Sequence, residues 1–115
     1  MVRSEQEMVR EVRSNLRGGQ GDVEFIHLFT QEELGSKTRL FAKIIIPPGG
    51  SIGFHEHHGE EEIYFILEGS GLVNDNGREV KVGPGDAVLT GGGAGHSIAN
   101  AGEGSLVMMA AVLLY

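Results

Sequence analysis

The sequence predicts an all-β domain, and three observations carry that prediction. Glycine occurs 19 times in 115 residues, more than twice its ordinary usage, which favours many tight turns between short elements over a few long helices. From residue 23 onward, turn signals such as PPGG, NDNG, GPGD and NAGEG recur about every eight to twelve residues. Between them the apolar residues alternate or run continuously, as strands do. A chain of 115 residues builds one core and not a second.

Residues 4–17 are the exception. Ser4 and Glu7 stand at capping-box spacing, Val9, Val12 and Leu16 follow at helical intervals, and Gly18-Gly19 stops the run. A short N-terminal helix on the outside of the fold is therefore expected. The chain divides into a helical or extended arm over 1–22 and a barrel over 23–115. Strands are expected in VEFIHLF, RLFAKIII, EEIYFILEGSGLV, REVKV, DAVLT, HSIAN and SLVMMAAVLLY, with Asn76-Gly77 as the turn of a hairpin. Regular strands of this kind form a sandwich, a jelly roll or a barrel. In EIYFILEG both faces are apolar, so that strand is expected to be covered on both sides.

Composition excludes several partners. The net charge is −7, whereas nucleic acids and anionic membranes need a concentrated basic patch. Arg3, Arg10, Arg13 and Arg17 cluster near the start, but glutamates and a glutamine are interleaved with them, which predicts a solvated face. Without cysteine, neither a disulfide nor a thiolate metal site can form. The longest apolar run, LVMMAAVLLY, is too short for a helix to span a bilayer, and no signal-like stretch opens the chain, so a cytoplasmic location is the default expectation.

The chemistry concentrates in GFHEHHGEEEIYFILEG, residues 53–69. His55 and His57 are two apart, so in a strand they project from one face with Cα atoms about 6–7 Å apart and can converge on one ion. Glu62 follows on the next strand, and Tyr64 and Ile66 share its face. A fourth ligand has to come from His96 or His27. His58, Glu56, Glu60 and Glu61 read as a solvated run, and His27 as a histidine satisfied by hydrogen bonds. Tyr64 is a candidate acid, base or hydrogen-bond donor near the ion, or else an aromatic filling the barrel. Lys43, a charge within FAKIII, either reaches into the barrel or faces outward.

Gly49-x5-His55-x-His57-x4-Glu62-x6-Gly69 resembles the first motif of the cupins, G(X)5HXH(X)3–4E(X)6G, at every fixed position. Gly85-x5-Gly91-x-Gly93-x2-His96-x3-Asn100 is similar to the second, G(X)5PXG(X)2H(X)3N, with Gly91 in place of proline. The resemblance implies a cupin jelly-roll barrel, commonly a homodimer, with metal ligands His55, His57, Glu62 and His96. Nitrogen and oxygen ligands suit a divalent ion of manganese or iron first, then nickel, cobalt or zinc. Three neutral imidazoles and one carboxylate around such an ion leave a net positive charge, so a small anionic, oxygen-rich substrate, a carboxylate or an enediol, is expected. Small cupins of this kind resemble oxalate decarboxylases, dioxygenases or sugar-phosphate isomerases, and others only bind or sense a ligand. The motifs do not separate these activities.

Overall fold

The segments between the turn signals become strands because each meets a partner edge on one side and a core on the other. The computed structural model describes residues 1–115. Its strands are β1 (Val9–Ser14), β2 (Asp22–His27), β3 (Thr38–Ile46), β4 (Ser51–Glu56), β5 (Glu60–Glu68), β6 (Gly71–Asp75), β7 (Arg78–Val82), β8 (Ala87–Gly91), β9 (Gly95–Asn100) and β10 (Leu106–Leu114). All pairings are antiparallel, in a six-stranded sheet ordered β1-β2-β3-β10-β5-β8 and a four-stranded sheet ordered β4-β9-β6-β7. This is the two-sheet jelly-roll barrel that the sequence predicts.

The run EEIYFILEGSGLV is cut at Gly69-Ser70 into β5 and β6, which lie in different sheets. The expected hairpin joins β6 to β7, with Asn76 at φ 50° and Gly77 at φ 102°, the twist that a two-residue loop needs. Inside, Leu40, Ala42, Ile44 and Ile46 of β3 alternate toward the core. They meet Ile66, Met108 and Val112 from their own sheet and Ile52, Val73 and Ile98 from the facing one. Burying each of the larger side chains contributes about 1.5–3 kcal/mol.

The N-terminal helix does not form. Two single 3-10 turns, Glu5–Glu7 and Leu16–Gly18, flank β1, and the Ser4 hydroxyl bonds the Glu7 carboxylate at 2.8 Å rather than a backbone N–H. An isolated short helix is marginal unless it buries an apolar stripe. Val9 and Val12 bury none; they are 52% and 59% exposed. Pairing with β2 gives the same residues a ladder in register from Val9↔His27 to Ser14↔Asp22.

The outer face of the larger sheet also departs from expectation. Phe65 and Leu67 are not covered but 45% and 42% exposed, and Leu89 on neighbouring β8 is 64% exposed. At the other end of that face the N-terminal arm folds back. Arg10, Ile26 and Lys43 stand side by side on β1, β2 and β3, and the Glu5 carboxylate bridges Arg10 and Lys43 beside the buried Ile26. No helix is long and apolar enough to cross a membrane.

Candidate metal centre

The ligand-bearing strands reach the barrel interior by small irregularities. Between Ile52↔Ile98 and His55↔His96, β4 advances three residues while β9 advances two, a β-bulge that sets His55 directly opposite His96. His57 lies one residue past β4 and is still anchored, its N–H donating to Ala94 O at 3.0 Å and its carbonyl accepting from Gly93 N–H at 2.8 Å. Glu62 and Tyr64 face inward from β5, both buried.

These elements bring together the four residues expected as ligands. The Nε2 atoms of His57 and His96 are 3.1 Å apart, and those of His96 and His55 are 3.2 Å apart. Glu62 Oε1 lies 3.1 Å from His57 Nε2, 3.0 Å from His96 Nε2 and 3.9 Å from His55 Nε2. An ion with such ligands at about 2.1 Å puts neighbouring donors about 3.0 Å apart in an octahedron and about 3.4 Å apart in a tetrahedron. The donor set thus fits a metal ion, and His55, His57, Glu62 and His96 form a cluster able to hold one.

Two of the imidazoles are oriented by hydrogen bonds at Nδ1. His55 Nδ1 donates to Gly53 O at 2.8 Å, and His57 Nδ1 donates to Glu60 Oε2 at 2.5 Å, which leaves their Nε2 lone pairs facing the centre. His96 Nδ1 is buried without a partner, and its ring stacks on Tyr64 at 5.0 Å between centroids. Burial works to raise the Glu62 pKa, yet hydrogen bonds from the three imidazoles outweigh it and hold the carboxyl well below its usual range. The Glu62 bond raises the His57 pKa against the opposing effect of burial, with Glu60 adding to the rise. A proton on His57 and a cation therefore compete for one lone pair. Burial and then Glu62 push the Tyr64 phenol well above its ordinary value, so it stays protonated.

Several residues stand where the sequence reading did not put them. Glu60, expected in a solvated run, accepts from Arg39 Nε at 3.1 Å and Nη2 at 2.8 Å while holding His57, and the Arg39 bond lowers its pKa despite burial. Arg39 reaches Glu60 because it is itself a bulge. β10 pairs Val112↔Leu40 and then Leu113↔Thr38, leaving Arg39 unpaired. Arg13 and Arg17, expected on a solvated face, line the chamber above the cluster together with Arg39. Its volume is about 50 Å³. Lys43 does not enter the barrel; it pairs with Glu5 outside. His27 Nε2 is satisfied by Glu11 at 2.5 Å, as expected. Gly91 replaces the motif's proline where β8 closes on β5, since a Cβ there would lie 2.5 Å from Glu61 Cβ.

The comparisons agree with this architecture. The cupin domain family matches residues 42–112. An oxalate-binding protein of Thermotoga maritima is 46% identical over 114 residues, covering 99% of this chain and 94% of its own. A solved Thermotoga maritima structure, described as a predicted oxalate decarboxylase, superposes with a TM-score of 0.94 at 45% identity over 100% of both chains. The polyketide cyclase RemF of Streptomyces resistomycificus shares the fold at a TM-score of 0.77 and 24% identity, over 99% of this chain and 79% of its own. With the motifs, the two-sheet barrel and these matches in agreement, the chain belongs to the cupin family.

Proposed function

We propose that this cupin binds one divalent ion, manganese or iron, through His55, His57, Glu62 and His96, and at that ion binds and decarboxylates or oxygenates a small carboxylic acid of the oxalate class. The observation that carries the reading is the convergence of three imidazole nitrogens and one carboxylate oxygen at the base of a chamber lined by three arginines. The naming of a full-length relative as oxalate-binding supports it. The ion, when bound, supplies Lewis acidity and, being redox-active, an electron relay.

The protein's own residues supply the rest. Arg13 and Arg39 are paired with Glu11 and Glu60, which leaves Arg17 as the unpaired cation lining the chamber to attract the anion. Glu60 and Gly53 O fix two imidazoles by their Nδ1 atoms, so ligand geometry is set before the ion arrives. Tyr64, protonated at neutral pH, acts as a hydrogen-bond or proton donor beside the cluster and not as a base.

The exposed side chains of Phe65, Leu67 and Leu89 form one apolar patch on the larger sheet, and a second copy of the chain covering it gives the expected homodimer.

The reading is tested by plasma mass spectrometry of the purified protein and its His96→Ala variant, together with isotope-labelled oxalate followed by NMR. About one equivalent of manganese or iron, lost in the variant, is expected, with oxalate and a proton converted to formate and carbon dioxide, or oxalate oxidised by dioxygen to two molecules of carbon dioxide with release of hydrogen peroxide. Binding without turnover would make the protein a ligand-binding cupin. No metal after reconstitution would overturn the site.

A further inference from the structure

The chain has 9 lysines and arginines against 16 acidic residues, yet three of the nine, Arg13, Arg17 and Arg39, line a chamber that His55, His57 and Glu62 also line. Two of these cations are neutralised internally. Arg13 donates to Glu11 at 2.7 Å and lies 4.1 Å over the Phe25 ring, and Arg39 is engaged by Glu60 through two hydrogen bonds. Arg17 makes no ion pair, although Arg3, Arg10, Arg13 and Arg39 all do.

The backbone at Arg17 is unusual for its residue type. It sits at φ 55° and ψ 30°, a left-handed conformation that disfavours side chains with a Cβ. Asn15 and Gly18, at φ 50° and 80°, carry similar angles in the same loop with residue types that tolerate them. Strain of this kind persists only where surrounding structure enforces it, and it concentrates at ligand clamps.

The enforcing structure is strand β4. A Cβ on Gly53 would lie 2.0 Å from the Arg17 carbonyl oxygen, and one on Gly19 would lie 2.2 Å from the Ser51 carbonyl oxygen. Loop and strand therefore touch backbone to backbone. Ser51 N–H donates to Gln20 O at 2.9 Å, and Gln20 N–H donates to Ser51 Oγ at 2.9 Å. Two residues beyond Gly53 on that strand stands His55. The one unpaired cation lining the chamber is thus fastened to the strand that carries the first histidine.

The geometry points to Arg17 as the residue that sets substrate specificity, taking the outer carboxylate of a short dicarboxylate whose other end lies at the histidine cluster. This rests on reading the chamber as an acid-binding site. With Arg13 and Arg39 cancelled by their own glutamates, the charges that remain are Glu62 and Arg17. A divalent ion then brings the site to a net charge that a dianion neutralises and a monoanion does not. A guanidinium fork also matches a carboxylate by two parallel hydrogen bonds, a match that the lysine ammonium lacks.

The test is calorimetric titration of the manganese-loaded protein with oxalate and with oxamate, the monoanion in which an amide replaces one carboxylate. It is run on the natural protein, Arg17→Gly and Arg17→Lys, with metal content and metal-free thermal midpoint recorded for each. Arg17→Gly is expected to keep its metal and a thermal midpoint at or above the natural one, because glycine relieves the left-handed backbone. Its oxalate affinity is expected to fall about tenfold to a hundredfold, with the preference over oxamate lost. Arg17→Lys, which keeps the charge, is expected to retain part of that preference. Unchanged oxalate preference in Arg17→Gly overturns the role of Arg17, and so does loss of its metal, which would make the loop a support for His55. Failure of the natural, manganese-loaded protein to bind oxalate overturns the underlying reading instead.

Discussion

At the scale of the residue, the chain Arg39–Glu60–His57 shows how a side chain outside the histidine cluster orients one within it. Glu60 holds His57 by Nδ1 and is itself held by two bonds from Arg39. Replacing Glu60 by glutamine removes the charge from both contacts. The expected outcome is about tenfold to a hundredfold weaker metal binding with the fold retained, read by competition against a chelator of known affinity. The four cluster residues were legible in the sequence because their spacing is local within each motif, two residues for the histidine pair and five more to Glu62. Glu60 was not, since its partner Arg39 is 21 residues away and reaches it through a bulge that no pattern announces. Arg17 was illegible for the same reason. Its place beside the chamber comes with a backbone contact to Gly53, on a strand that meets the loop only in three dimensions.

Among the elements, the N-terminal arm is held by its ladder to β2 and, ahead of that strand, by charged contacts. Arg3 donates to Glu33 Oε1 at 2.8 Å and to Leu28 O at 3.2 Å, and its guanidinium lies 5.2 Å from the centroid of the Phe29 ring. The Arg3 bond, reinforced by Thr30 N–H, lowers the Glu33 pKa from 4.5 to about 2. A folded-state pKa below the unfolded one contributes stability that is complete above about pH 4.5 and lost as the pH falls through about 2. The Glu33 carboxyl should therefore titrate near 2 by NMR, and in Arg3→Ala its midpoint should rise toward 4.5. The barrel strands were legible because turn residues bracket each one. β1 was not, because VREVRS satisfies a helical spacing as readily as a strand, and only the free edge of β2 decides between them.

For the whole molecule, the two faces of the larger sheet have different fates. The inner face closes on the core, while the outer face is covered by the arm at Ile26 and left bare at Phe65, Leu67 and Leu89. If a second copy covers that patch, Phe65→Lys together with Leu89→Lys should shift the protein from dimer to monomer by light scattering and leave the metal content unchanged, since neither residue lines the chamber. The seat of the cluster has a further consequence for anyone who would graft it. Moving His55, His57, Glu62 and His96 into another barrel would carry over the chemistry without its mounting. At Gly53 and Gly91 the neighbouring backbone and side chains occupy the space that any other residue would fill. Two of the instructions that build this site are written as vacant positions, and a recipe that copies only functional groups leaves them out.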